Sequence, residues 1–306
     1  MTQDDRDHLT IGPRLWPYAE NLNTERVHRM LGPCLEWAQV SPETIVVADS
    51  ARAWIHRPSF PGAADPFATA MEGAGTVGTT RNLLEGCIAA AQTAVRIETP
   101  RPALTRARWI WRLAGYYHTT HATPHMMRIA ATRFEAAGRT SLAAYAASKV
   151  ADEAGHDTLA LRDLAALGLD AEATVRALVP PTAAALVALF SALVDTADPV
   201  GCVGYAYALE RLALAVPRDY LRQVEAVLPA GVNATRCLRV HSATGADRDH
   251  VEDALHLTAG LTAAERLRIA RACHETTRIH AAAPAEGHVS ESELARRISS
   301  LALVSR

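Results

Sequence analysis

The chain has 306 residues, 49% of them hydrophobic and 21% charged, and a formal net charge of −2. That composition supplies a core and excludes a disordered chain, and with no long basic run it excludes the electrostatic footprint of a nucleic-acid binder. The length fits one large helical domain with an extension, or two small domains.

Five cysteines (Cys34, Cys87, Cys202, Cys237, Cys273) are odd in number and far apart, the pattern of reduced thiols in a cytosolic protein. The start MTQDDRDHLT is acidic and polar, with no secretory signal. The longest apolar run, 200–216, contains Glu210 and Arg211 and is too short for a membrane span. The expected location is therefore cytoplasmic, with no membrane or nucleic-acid partner.

In chain order, residues 1–20 read as irregular around Pro13 and Pro17. Residues 22–39 suit a short helix broken at Gly32–Pro33. The run 45–56 is a buried strand or a helix, which periodicity alone does not separate. Residues 57–66 carry three prolines and mark a candidate boundary.

From residue 79 the pattern is helical to the end. One segment stops before Pro100. A long one, 103–138, is closed by Gly138 and is kinked or divided by Pro124. A single amphipathic helix is expected over 141–168, ended by Gly168. Further helices are expected at 182–195, 199–216, 218–228, 234–258, 261–283 and 290–303. The reading is all-α, about seven to nine helices, with residues 1–79 as an N-terminal extension and 80–306 as the bundle.

Three stretches carry the chemistry. Glu153 and His156 stand three apart on the stripe that holds Leu142, Ala146, Val150 and Ala160. A carboxylate and an imidazole turned into a core need a compensating partner, and a metal ion satisfies both; Glu-x-x-His is also the spacing of carboxylate-bridged di-iron bundles. The plainer alternative is a solvated surface pair.

Glu210 is flanked on its helix by Val203, Ala206, Tyr207, Ala213 and Leu214, so it should be buried. A buried carboxylate needs a metal or a buried Arg from another helix. In the third stretch, Asp247 and His250 share the apolar face with Val251 and Ala254, whereas Asp249, Glu252, Asp253 and His256 face solvent. His241 lies nine residues before His250, about 180° round a regular helix, and joins the inward pair only if Gly245 marks a bulge or a break.

With EAGH at 153–156, Glu210, and HSATGADRDH at 241–250 in that order, the chain resembles the heme-oxygenase-like di-iron oxidases and oxygenases, relatives of thiaminase II and pyrroloquinoline quinone synthase. The resemblance covers about 80–285. It implies a heme-oxygenase-like helical bundle with metal ligands Glu153 and His156, then Glu210, then Asp247 and His250. The family's third-helix pattern, His-x-x-x-Asp-x-x-His, has Ala243 at its first position here, and His241 is the substitute through local unwinding.

The implied cofactor is iron(II), two ions, with dioxygen as co-substrate. The implied reaction is oxygenation or oxidation of a small amine, amino-acid or fatty-acid-like metabolite in specialised metabolism. The mixed carboxylate and imidazole set suits iron, and no thiolate is placed to select zinc. Reducing equivalents would come from an external donor, because no flavin or nicotinamide motif is visible; a homodimer is compatible with the chain. Two other readings stay open: a metal-free enzyme on the same fold, and a non-catalytic binding protein whose buried polar groups fix helix register.

The pocket candidates are fewer. His118, His121 and His125 fall on one stripe with Tyr117 between, and suit a substrate pocket, a second metal site, or a polar patch beside Pro124. Tyr207 shares the face of Glu210 and suits a pocket wall. Arg236 and Arg239 are set for a substrate carboxylate or for the surface, and Asp157 for orienting an imidazole or for the surface. No nucleophile elbow is present, and GAGTVGTT at 73–80 lacks the Lys of a phosphate loop.

Overall fold

The computed structural model describes residues 35–58, 67, 71, 73, 75–95, 102–217, 219–243, 245–282 and 289–303; the side chains of 242–247 lie outside that description. The helix expected before residue 35 and most of the proline-rich breaker also lie outside it. The chain divides into two compact units, Met1–Val95 with Val200–Leu209 and Asp249–Arg278, and Arg96–Pro199 with Glu210–Arg248 and Ile279–Arg306.

The first unit holds a three-stranded antiparallel meander, β1 (Glu36–Ser41), β2 (Thr44–Ala48) and β3 (Ala53–His56). The ambiguous run 45–56 is thus strand. Residues 36–39 are strand too, not the end of a helix, because the β-branched run Thr44–Val47 pairs with them across a two-residue turn. Trp37 faces Val47 and Ala38 faces Val46, with an irregularity between Gln39 and Ser41.

Helix α1 (Val77–Ala94) lies against this sheet, entered through a capping box in which Thr76 and Thr79 satisfy each other's backbone N–H groups. Gly86 lets it approach: a Cβ there would meet Val46 and Ala53 below 3 Å.

A buried ion pair ties the unit together. Arg266 Nε lies 3.3 Å from Glu36 Oε2, while the Thr79 and Thr80 hydroxyls donate to Glu36 Oε1 at 2.7 and 3.0 Å. With its partners supplied, the desolvation cost of this carboxylate is offset.

The second unit is built on one long helix, α2 (Arg106–Ala136), which packs α3 (Thr140–Asp152), α4 (Asp157–Ala166), α5 (Ala171–Ala177), α6 (Pro181–Val194) and α12 (Glu291–Ser299). The remaining helices are α7 (Gly201–Leu214), which runs through residues of both units, α8 (Tyr220–Ala226), α9 (Arg236–Ala243), α10 (Gly245–Ala259) and α11 (Ala263–Ala281).

Trp109, Ile110, Trp111, Leu113 and Ala114 of α2 form the centre of the second core with Ala160 and Leu164 of α4 and Cys237 and Leu238 of α9. The Trp109 indole donates to Ala234 O at 2.9 Å, just before α9 begins. Pro124 does not divide α2: the helix continues through it.

One segment expected as a single helix is split. The 141–168 segment breaks into α3 and α4 at Glu153–His156, where Gly155 takes φ +82°, a conformation that ends a helix and that only glycine adopts freely. The 234–258 segment is described as α9 and α10, with residue 244 between them outside the description. The split at Glu153–His156 is one reason the described helices are shorter than the periodicity suggests.

Among the described residues no single helix is long and apolar enough to cross a membrane; the bent pair α5–α6 meets that test only jointly. The four described cysteines, Cys87, Cys202, Cys237 and Cys273, are buried and form no disulfide with one another.

In the first unit α7 and α11 touch backbone to backbone at Gly204, where a Cβ would stand 2.1 Å from the Ile269 carbonyl oxygen. Gly204→Ala should therefore cost about 3 kcal/mol by overpacking. Thermal unfolding should register this as a melting point lower by roughly 10 °C. An unchanged melting point would mean that the two backbones are not in contact.

Candidate metal centre

The site begins at the turn between α3 and α4. Helix α3 turns Leu142, Ala146 and Lys149 into the core at helical intervals, and Glu153 follows one turn later as its C-cap residue. The chain then reverses through Gly155, and His156 precedes the first residue of α4. Glu153 and His156 are thus neighbours across a tight turn, not along one regular helix. His156 N–H donates to Glu153 O at 3.2 Å, and His156 Nδ1 lies 3.0 Å from Glu153 Oε2.

A third group arrives on α9. Asp163, wholly buried two turns along α4, accepts the Cys237 backbone N–H and Arg236 Nη1, each at 3.0 Å. It thereby satisfies one of the free N–H groups that open α9 and fixes that helix against α4. One turn further along α9 the His241 ring meets the His156 ring edge to face, with centroids 5.0 Å apart at 84°.

One ligand atom each from Glu153, His156 and His241 lies within 4.8 Å of the others, and this is the one such group of three among the described residues. His241 Nε2 is buried and has no hydrogen-bond partner among the described residues. A buried ring nitrogen with no hydrogen-bond partner is costly unless something else fills that place.

The electrostatics set the protonation states. Burial pushes the Glu153 carboxyl up, but the hydrogen bond from His156 and the fields of His241, His156 and Lys149 prevail, and it settles below the usual carboxylate range. Burial lowers His241 below the ordinary imidazole value, more than the Glu153 field raises it. Burial, with the fields of Asp163 and Glu153, pushes the Cys237 thiol up to about 12. At neutral pH the site therefore holds an ionised carboxylate, a neutral His241 with a lone pair to give, and a thiol that stays protonated.

The other sequence candidates are placed differently. Glu210, on α7, is not in the cluster of three: its Oε1 accepts from Lys149 Nζ at 2.6 Å, and the two side chains are 12% and 4% exposed. Asp247 lies among the side chains outside the description, and His250 is half-buried on α10 in the first unit.

Tyr207 is buried in the first unit, where its hydroxyl donates to Glu85 Oε1 at 3.0 Å. On α2, Tyr117 stacks on His121 at 5.1 Å, His121 Nδ1 pairs with Asp157 Oδ2 at 2.7 Å, and His118 Nε2 bonds Leu178 O at 3.0 Å. Asp157 is thus the partner of His121, outside the cluster of three. His125 is exposed beside Arg128, Ile129, Thr132 and Arg133 in an open surface depression. Arg239 pairs with Glu225, as Arg236 does with Asp163.

Sequence reasoning missed Lys149 and Asp163. Lys149 had two signals: it lies four residues before Glu153 on the stripe of Leu142 and Ala146, and it is the one lysine among the 31 Lys and Arg residues of the chain. Asp163 had none, since LRDLAAL reads as an ordinary amphipathic turn.

A family model described as an iron-containing redox enzyme matches residues 108–283. A domain of unknown function with a heme oxygenase-like fold from Shewanella denitrificans is 17% identical, covers 73% of this chain and 89% of its own, and has a TM-score of 0.50. A TenA homolog from Pseudomonas syringae pv. tomato is 14% identical, covers 70% of this chain and 98% of its own, and has a TM-score of 0.51. No curated protein matches the chain. At these identities the structural likeness gives the fold, and the fold is heme-oxygenase-like.

If Asp163 is what holds α9 against α4, removing it should be expensive. Asp163→Ala leaves the Cys237 N–H buried and Arg236 without its carboxylate, and should cost about 3 kcal/mol in denaturant unfolding. Asp163→Asn, which keeps an acceptor, should cost less. Equal stability of Asp163→Ala and the wild type would remove Asp163 from this role.

Proposed function

The chain belongs to the family of iron-containing redox enzymes, and on that premise we propose that it is an iron(II)- and dioxygen-dependent oxidoreductase, an oxygenase or oxidase of a small metabolite. Glu153, His156 and His241 would hold the metal. The observation that carries this reading is the buried His241 Nε2, set within reach of a carboxylate and a second imidazole and bonded to nothing among the described residues.

The donor set fits. Two imidazoles and one carboxylate are the ligands of non-heme iron(II) sites that keep coordination positions open for dioxygen and substrate. Ligands at bonds of about 2.1 Å stand roughly 3 Å apart when adjacent. Glu153 and His156 are already 3.0 Å apart, and all three donor atoms lie within 4.8 Å of one another. Bound iron(II) would supply the electron-transfer chemistry with dioxygen that the side chains themselves lack.

The protein's own residues do the rest. Glu153 stays ionised and balances the metal's charge. His156 is oriented by its contact with Glu153, so its ring is set before any metal arrives. His241 stays neutral, and the turn at Gly155 and the hold of Asp163 on α9 keep the three donors on rigid helix ends. Cys237, protonated, does not compete as a thiolate. The substrate is a small molecule, and reducing equivalents come from an external donor.

The test is anaerobic titration with iron(II), followed by metal analysis of the desalted protein. Wild-type protein should retain iron, and Glu153→Ala or His241→Ala should lower the affinity by more than about 100-fold with helical content intact. Protons and metal compete for the His241 ring. Because that ring titrates below its ordinary value of 6.5, uptake should be at full strength at pH 7 and decline only under more acid conditions. Wild-type protein that takes up no iron would favour a metal-free enzyme on this fold.

A further inference from the structure

We propose that the ammonium of Lys149 fills the place of a second cation beside this centre, so that the enzyme works with one metal ion and Glu210 is the counter-ion of Lys149, not a ligand. The inference rests on the iron reading above and deepens it.

Two acids from separate helices, Glu153 and Glu210, come into this part of the second unit, and a two-metal centre would use both. Here they have different partners. Glu153 belongs to the cluster with His156 and His241, whereas Glu210 Oε1 accepts a 2.6 Å charge-assisted hydrogen bond from Lys149 Nζ. Both members of that pair are nearly out of contact with solvent.

A metal ion taking Glu210 through Oε1 would have to displace the ammonium and leave it buried without its carboxylate, which costs about a hundredfold or more in affinity. The choice of residue points the same way. Every other side-chain cation of the Lys and Arg class is arginine. An arginine carries a broad planar fork, whereas an ammonium is a compact point charge, the closer match in size and shape to a metal ion.

Lys149 is also tied to the ligand side of the site. It lies on α3 one turn before Glu153. Two carboxylates against one ammonium leave one negative charge, which together with the two imidazoles suits a single divalent ion. Lys149 thus holds Glu210 as its counter-ion and leaves the metal's open positions to dioxygen and substrate.

The experiment is metal stoichiometry. Wild-type protein and the double variant Lys149→Met/Glu210→Gln, which replaces the ion pair by neutral groups of similar size, are loaded anaerobically with iron(II) alone. Bound iron per chain is then measured alongside helical content. The wild type should bind one iron, and the double variant should also bind one, with a Kd within about threefold of it.

Two irons per wild-type chain would overturn the inference and leave the iron reading standing. Loss of iron from a folded double variant would overturn it as well, since Glu210 would then be a ligand. No iron in the wild type would remove the iron reading, and this inference with it.

Discussion

A carboxylate with no exposed surface can persist in a folded protein only if its neighbours satisfy it, and Asp163 is satisfied by the first turn of another helix. Its two acceptor bonds, to the Cys237 N–H and to Arg236, set where α9 begins relative to α4. Everything in the candidate centre follows from that placement. His156 stands at the head of α4 and His241 one turn into α9, so fixing the two helices brings the two rings to 5.0 Å. Glu153 is brought in locally by the Gly155 turn. One long-range polar contact and one glycine conformation thus convert three residues spread over 89 positions of sequence into one donor set.

Charge then decides what that set can hold. Burial works against every ionised group here, yet Glu153 ends up more acidic than an ordinary carboxyl because imidazole and ammonium neighbours outweigh desolvation. His241 and Cys237 go the other way, kept neutral by the same burial. The site that results offers a hard oxygen and borderline nitrogens but no thiolate, which is the chemistry of iron or manganese in preference to a structural zinc. Membership in a family of iron-containing redox enzymes agrees with that donor set.

Much of this was legible in the sequence, though for mixed reasons. Glu153 and His156 announce themselves by spacing, but the geometry behind that spacing is a turn; the glycine inside EAGH was the visible warning. His241 was readable only on the condition that the chain breaks before His250, with Gly245 as the marker, and residue 244 beside it lies outside the described residues. The burial of Glu210 could be read from its apolar neighbours, but not the identity of its partner, which comes from 61 residues away. Lys149 was hidden by a habit of reading lysine as surface; its uniqueness in the composition was the better signal. Asp163 was beyond reach, because a contact between helices leaves no periodic trace in either one. The sheet at 36–56 was half visible: the β-branched run showed β2, whereas EWAQVS became strand only through that partner.

The central claim is that Glu153, His156 and His241 hold the metal. Anomalous diffraction from crystals of the iron-loaded protein tests it most directly. The account predicts one iron peak within about 2.3 Å of a ligand atom from each of the three residues, with Lys149 Nζ still bonded to Glu210. A peak bonded elsewhere, with these three side chains left uncoordinated, would contradict it.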